Sequence, residues 1–147
     1  MKRLFEDCFS VIQTDMVEIC LEYCLKKADK IYIYCSAENN KYTTNFFFDV
    51  HGKIVKKHKL TEEIPSCDVS TDTQGQVLRI LVDDLKQLEQ VCEDFERPMP
   101  TEIKMVYDVT ENSLRAKYQY AIVYSDHPTK TARDIVEEWV EEFSKTF

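Results

Sequence analysis

Glycine and proline are nearly missing from this 147-residue chain, which holds 2 of the first and 4 of the second. Their scarcity excludes collagen-like and low-complexity classes, and with apolar residues at 44% and aromatics at 12% the chain has material for an ordinary packed core. A chain of this length removes roughly 70% of its unfolded surface from water, so one domain over residues 1–147 is expected. Glycine also builds the loops that cradle phosphate. With only Gly52 and Gly75, no P-loop, dinucleotide fingerprint or nucleophile elbow appears.

Long hydrophobic runs are missing as well. No apolar stretch approaches the ~18 residues of a bilayer span, and acids interrupt the amino-terminal "MKRLFEDCFSVIQTDM" before a signal-peptide core can form. The expected compartment is the cytoplasm. There the six cysteines, Cys8, Cys20, Cys24, Cys35, Cys67 and Cys92, are reduced thiols despite their even number.

Positive charge is the third shortage: 19 Lys and Arg face 27 Asp and Glu, a formal charge of -8. Such a field repels nucleic acid and anionic membrane, so neither is an expected direct partner. The basic run "KIVKKHK", Lys53 to Lys59, reads as the protected end of an edge strand. Ligands for a metal are also scarce. Cys20 and Cys24 share a helix face, but no Cys-x-x-Cys or His pair completes a zinc set, and His51, His58 and His127 have no helical ligand spacing. No metal, cofactor or catalytic residue is therefore assigned, and the chain is not expected to be an enzyme.

What is present falls into eight elements. Phe5, Phe9, Ile12, Met16, Ile19, Cys20 and Tyr23 recur at helical steps across Lys2 to Lys27, with a break anticipated at Thr14 and Asp15. The period then changes to two. In "KIYIYCSAE", Ile31, Ile33 and Cys35 alternate with Tyr32, Tyr34 and Ser36, and in "YTTNFFFDV" Tyr42, Thr44, Phe46, Phe48 and Val50 share a side. His51 and Gly52 suit a two-residue hairpin turn into a third strand over Lys53 to Lys59. The segment "TEEIPSCDVSTDTQGQ" reads as one long loop.

A second helix is expected from Gln76 to Glu96, stopped by Pro98 and Pro100. "TEIKMVYDV" and "LRAKYQYAIVY" then alternate as a second hairpin. Ser125 or Asp126 can cap a last helix that has Pro128 in its first turn and Ile135, Val136, Trp139, Val140 and Phe143 as its apolar face. The predicted fold is α+β, order α-β-β-β-α-β-β-α: a mostly antiparallel sheet of about five strands in a two-layer sandwich, with three helices largely on one face.

The acids concentrate on two helices. Asp83, Asp84, Glu89, Glu93 and Asp94 lie on the second, and Asp134, Glu137, Glu138, Glu141 and Glu142 surround Trp139 on the last, in "DIVEEWVEEF". Opposite an apolar stripe, such carboxylates are solvated and unsuited to acid-base work. They serve solubility or a basic partner, which complementary charge would steer into place. A rival contact is the far sheet face, where Tyr32 and Tyr34, with Phe47, would be exposed as interface anchors.

"ADKIYIYCSAENNKYTTNFFFDVHGKIVKK", followed by "DDLKQLEQVCEDFERPMPTEIKMVYDVTENSLRAKYQY", resembles the YezG-like immunity (antitoxin) family of LXG polymorphic toxin systems in Gram-positive bacteria. The resemblance covers most of the chain in its order of elements. It implies an immunity protein that binds and neutralises the C-terminal toxic domain, commonly a nuclease, of a cognate secreted toxin. The partner would be a basic toxin domain, bound through the acids named above or through Tyr32 and Tyr34; no homo-oligomer is predicted. The alternatives are a small cytosolic hydrolase using carboxylate and histidine chemistry, and an adaptor subunit without toxin specificity.

Overall fold

The computed structural model describes residues 4–121, 123 and 131–144. The chain runs α1 (Phe5–Tyr23), β1 (Lys30–Glu38), β2 (Lys41–Val50), β3 (Lys53–Lys56), a 3-10 segment (Lys57–Glu62), α2 (Thr71–Asp94), β4 (Glu102–Asp108), β5 (Ser113–Gln119) and α3 (Ala132–Ser144). The strands form one open sheet in the order β3-β2-β1-β4-β5, and every pair is antiparallel. Class, strand number and element order are those expected. The anticipated cap at Ser125, Asp126 and Pro128, the strand residues Ile122 and Tyr124, and His127 lie outside the described residues.

Turn chemistry fixes the register. Asn39 and Asn40, at φ 50° and 61°, and His51 and Gly52, at 54° and 82°, supply the paired positive φ values of tight hairpins. The β1–β2 turn sets Ile33 opposite Phe46 and Tyr32 opposite Phe47, so one face of the sheet is aliphatic and phenyl and the other is tyrosine-rich.

Under α1 and α2 lies the larger core. Met16 and Cys20 from α1 and Leu81, Leu85 and Leu88 from α2 meet Ile31, Ile33, Cys35, Phe46 and Phe48, all essentially without solvent contact. Tyr23 stacks on Phe48 at 5.9 Å and meets Phe46 edge-on at 5.0 Å. The six cysteines are free thiols and five are buried. Burial raises the pKa of Cys20 and Cys24, so these two pack as small hydrophobes.

The expected two-layer arrangement with the helices largely on one face is corrected: α1 and α2 share that face, and α3 takes the other, so the sheet lies between two helical layers. Its Ile135, Val136, Trp139 and Val140 close over Tyr32, Tyr34 and Phe47 in a second, smaller core. Trp139 is the anchor expected of it: 4% exposed, it meets Tyr32 and Phe47 edge-on at 5.7 and 5.2 Å. The central strand β1 is therefore covered on both sides along most of its length.

Three local expectations are corrected. Helix α1 runs unbroken through Thr14 and Asp15, because both sit on its solvent face and interrupt no buried position. The third strand ends at Lys56, where the chain turns into the 3-10 segment. Helix α2 starts at Thr71, five residues earlier than expected. Ser70 Oγ accepts from the Thr73 backbone N–H at 3.2 Å, and Asp68 accepts from the Ser70 N–H and the Thr73 hydroxyl, so a polar stretch with the composition of a loop is a helix cap.

Candidate functional site

The acids expected to form a contact surface are divided by the sheet. Asp83, Asp84, Glu89, Glu93 and Asp94 belong to α2 on one face, and Asp134, Glu137, Glu138, Glu141 and Glu142 to α3 on the other. One rigid partner patch cannot use both sets. The tyrosines drop out as well. Tyr32 is 2% exposed and Tyr34 fully buried, because α3 covers the face expected to stay open, and burial pushes the Tyr32 hydroxyl up to about 12. Phe47, at 2%, is corrected in the same way.

On α2 the acids have distinct settings. Asp83, Glu93 and Asp94 are exposed, and Asp94 accepts from Gln90 Nε2 one turn back at 2.8 Å. Glu89 is half-buried and accepts the Tyr42 hydroxyl proton. Asp84 points inward, is 5% exposed, and its Oδ2 has no hydrogen-bond partner among the described residues. Burial, then a hydrogen bond and repulsion from Asp15 on α1, then Asp83, raise its pKa from 3.8 to about 8. Burial and the Asp15 carboxylate thus favour the protonated form of Asp84, which makes it a poor source of charge for a partner.

What sequence reading missed is the neighbour of α2. Helix α1 packs antiparallel to it: Phe5 meets Phe95 edge-on at 5.7 Å, Arg97 lies 4.7 Å over the Phe5 ring, and Asp15 reaches Asp84 midway. Its outer side carries Glu6, Asp7, Asp15, Glu18 and Glu22 and no Lys or Arg. Together α1 and α2 hold eleven acids and two cations, a formal -9 that exceeds the formal charge of -8 on the whole chain. One of those cations, Lys86, lies over the Tyr42 ring at 5.4 Å. Between the acids two apolar side chains face water, Val11 at 59% and Ile80 at 36%. The signal was available, since every acid of α1 falls between its apolar steps.

The acids of α3 are all exposed but engaged nearby: Glu137 bonds Lys56 of the β3 edge at 2.8 Å. Two further acids are buried on the α3 side of the sheet. Glu102 is 5% exposed and accepts from the Tyr34 hydroxyl at 2.9 Å, and Glu38 is 2% exposed and accepts from the Val123 N–H at 3.0 Å. Among the described residues, no group of three or more His, Cys, Asp and Glu could hold a metal ion, and no helix is long and apolar enough to cross a membrane.

The chain matches no protein-family model, and no curated protein is similar to it.

Proposed function

We propose that this chain is an immunity protein of the cytoplasm, which neutralises the C-terminal toxic domain of a cognate LXG-type toxin, a basic nuclease, by stoichiometric binding through the outer face of α1 and α2. The observation that carries the reading is the concentration of charge: eleven acids against two cations on two antiparallel helices, more negative than the chain as a whole. A nuclease grips phosphate with cations, and a rigid row of carboxylates offers that groove the same sign of charge at helical spacing. Val11 and Ile80 give the acids an apolar point of contact, which electrostatic steering alone lacks. Inhibition would be steric and electrostatic, with no covalent step.

The test is rescue. Cells expressing the toxic domain encoded beside this chain should grow when the chain is co-expressed and die when Asp83, Glu93 and Asp94 are changed together to Lys. Survival of cells carrying the triple variant would remove the α1–α2 face from the reading, and death with the unaltered chain would remove the reading itself.

A further inference from the structure

Among the described residues, the sheet face beneath α3 is covered only in part. Trp139 and Phe143 close over β1 and β2, whereas toward β4 and β5 the same face opens into a recess of about 390 Å³ between the strands and α3. Strand register lays out its floor as a grid. Lys104 and Lys117 form one row across β4 and β5, Tyr32, Val106 and Arg115 the next across β1, β4 and β5, and Lys30, Asp108 and Ser113 the third. Among the described residues, four cations, Lys30, Lys104, Arg115 and Lys117, thus border one cavity in a chain of charge -8, against two acids, Asp108 and Glu142.

This charge has little compensation. Lys104 and Lys117 stand directly opposite one another on adjacent strands, an arrangement that works against the pairing. Lys104 lies 3.9 Å from Glu102 and 5.5 Å from the Trp139 ring, and Lys30, Arg115 and Lys117 make no ion pair among the described residues. Protection of a sheet edge accounts for cations on β5, the last strand. It does not account for Lys104 and Lys30, which are half-buried on the interior strands β4 and β1.

We propose that this recess binds a small phosphate monoester, with the phosphate held between Lys104, Lys117 and Arg115 and the organic group lying on Val106 and the Phe143 ring. A dianion offsets both opposed lysines at once, and the guanidinium fork of Arg115 matches two phosphate oxygens. The volume lies in the range of small-molecule sites, roughly 300–1,000 Å³, and is too small for a folded partner. The recess is on the opposite side of the sheet from the acidic α1–α2 face, so it stands independently of the immunity reading.

The test is a titration of the isotope-labelled full chain with AMP, adenosine and inorganic phosphate, followed by backbone amide shifts. AMP should shift the amides of Lys104, Val106, Arg115 and Lys117 saturably, inorganic phosphate the same amides more weakly, and adenosine none of them. Changing Arg115→Gln and Lys117→Gln together should weaken AMP at least about tenfold, whereas Lys117→Arg should retain it. Both positions are on an edge strand, so unchanged amide shifts in β1 and β2 will verify that the fold persists. Failure of AMP and phosphate to saturate, shifts centred elsewhere, or a double variant that binds like the unaltered chain would overturn the proposal. Inorganic phosphate binding as tightly as AMP would overturn its apolar half.

Discussion

Replacing Asp84 by Asn should make the protein more stable in mild alkali and leave it nearly unchanged in mild acid. In the folded chain Asp84 is buried against Asp15 with its pKa raised from 3.8 to about 8, so the folded state keeps a proton that the unfolded state releases. Unfolding then sheds a proton throughout the window between these values, and stability falls as pH rises from about 4 to about 8. At 1.36 kcal/mol per pH unit the full shift would correspond to roughly 6 kcal/mol. Asp15 is exposed and water reaches that side of the pair, so screening leaves less than half of this, about 2 kcal/mol. An Asn side chain keeps the shape, can donate to Asp15, and does not titrate. Guanidinium unfolding of both proteins, read by the single tryptophan, Trp139, should give matching stabilities near pH 3.5, below the unfolded pKa, and a gap of about 2 kcal/mol in favour of the Asp84→Asn variant by pH 8.5. All other ionisable groups are common to the two proteins. A difference between them that stays constant with pH would refute the protonated, buried Asp84.

Two further substitutions test the architecture. Trp139→Ala should cost about 3–5 kcal/mol, because the ring fills the centre of the second core between Tyr32, Tyr34 and Phe47. Limited proteolysis should then cut first within residues 131–144, and an unaltered unfolding midpoint would contradict the placement of α3. Ser70→Ala should cost about 1 kcal/mol through loss of the cap at the start of α2, with Asp68 retaining its bonds to Thr73 and the backbone N–H of position 70. Denaturation midpoints measure it, and a loss below a few tenths would place the start of the helix further along the chain.

Period is the most legible property of the sequence. Alternation alone assigns Ile31, Ile33, Cys35, Phe46 and Phe48 to one buried face, and the same residues form the floor of the larger core. The position of α3 is harder to read, because alternation in an antiparallel sheet is usually one-sided. Three aromatics in succession, Phe46, Phe47 and Phe48, cannot all point to one face, and Tyr32 and Tyr34 flank Phe47 on the other, so this sheet needs cover on both sides. That run is the available signal, and it converts Tyr32 and Tyr34 from surface anchors to core. Capping at Ser70 is concealed by a polar stretch whose composition is common to loops and helix starts. The candidate acids are legible as solvated faces, but not their division. Which side of a sheet a helix occupies depends on long-range packing, and no local pattern in Glu137 or Glu93 reveals it. Asp84 looks like its neighbour Asp83 in kind, but it stands three residues after Leu81 and four before Leu88, on the buried stripe of α2, and that spacing separates the buried acid from the exposed one.

If the negative face of α1 and α2 engages a basic toxic domain and the acids of α3 do not, association rates for that domain at low and physiological salt will separate the two faces. The chain with Asp83, Glu93 and Asp94 changed to Lys should associate at least about tenfold more slowly at low salt and lose most of its salt dependence, whereas Glu138→Lys with Glu141→Lys on the opposite side should associate like the unaltered protein. Equal slowing by both variants, or slowing by the α3 pair alone, would overturn the assignment of the α1–α2 face.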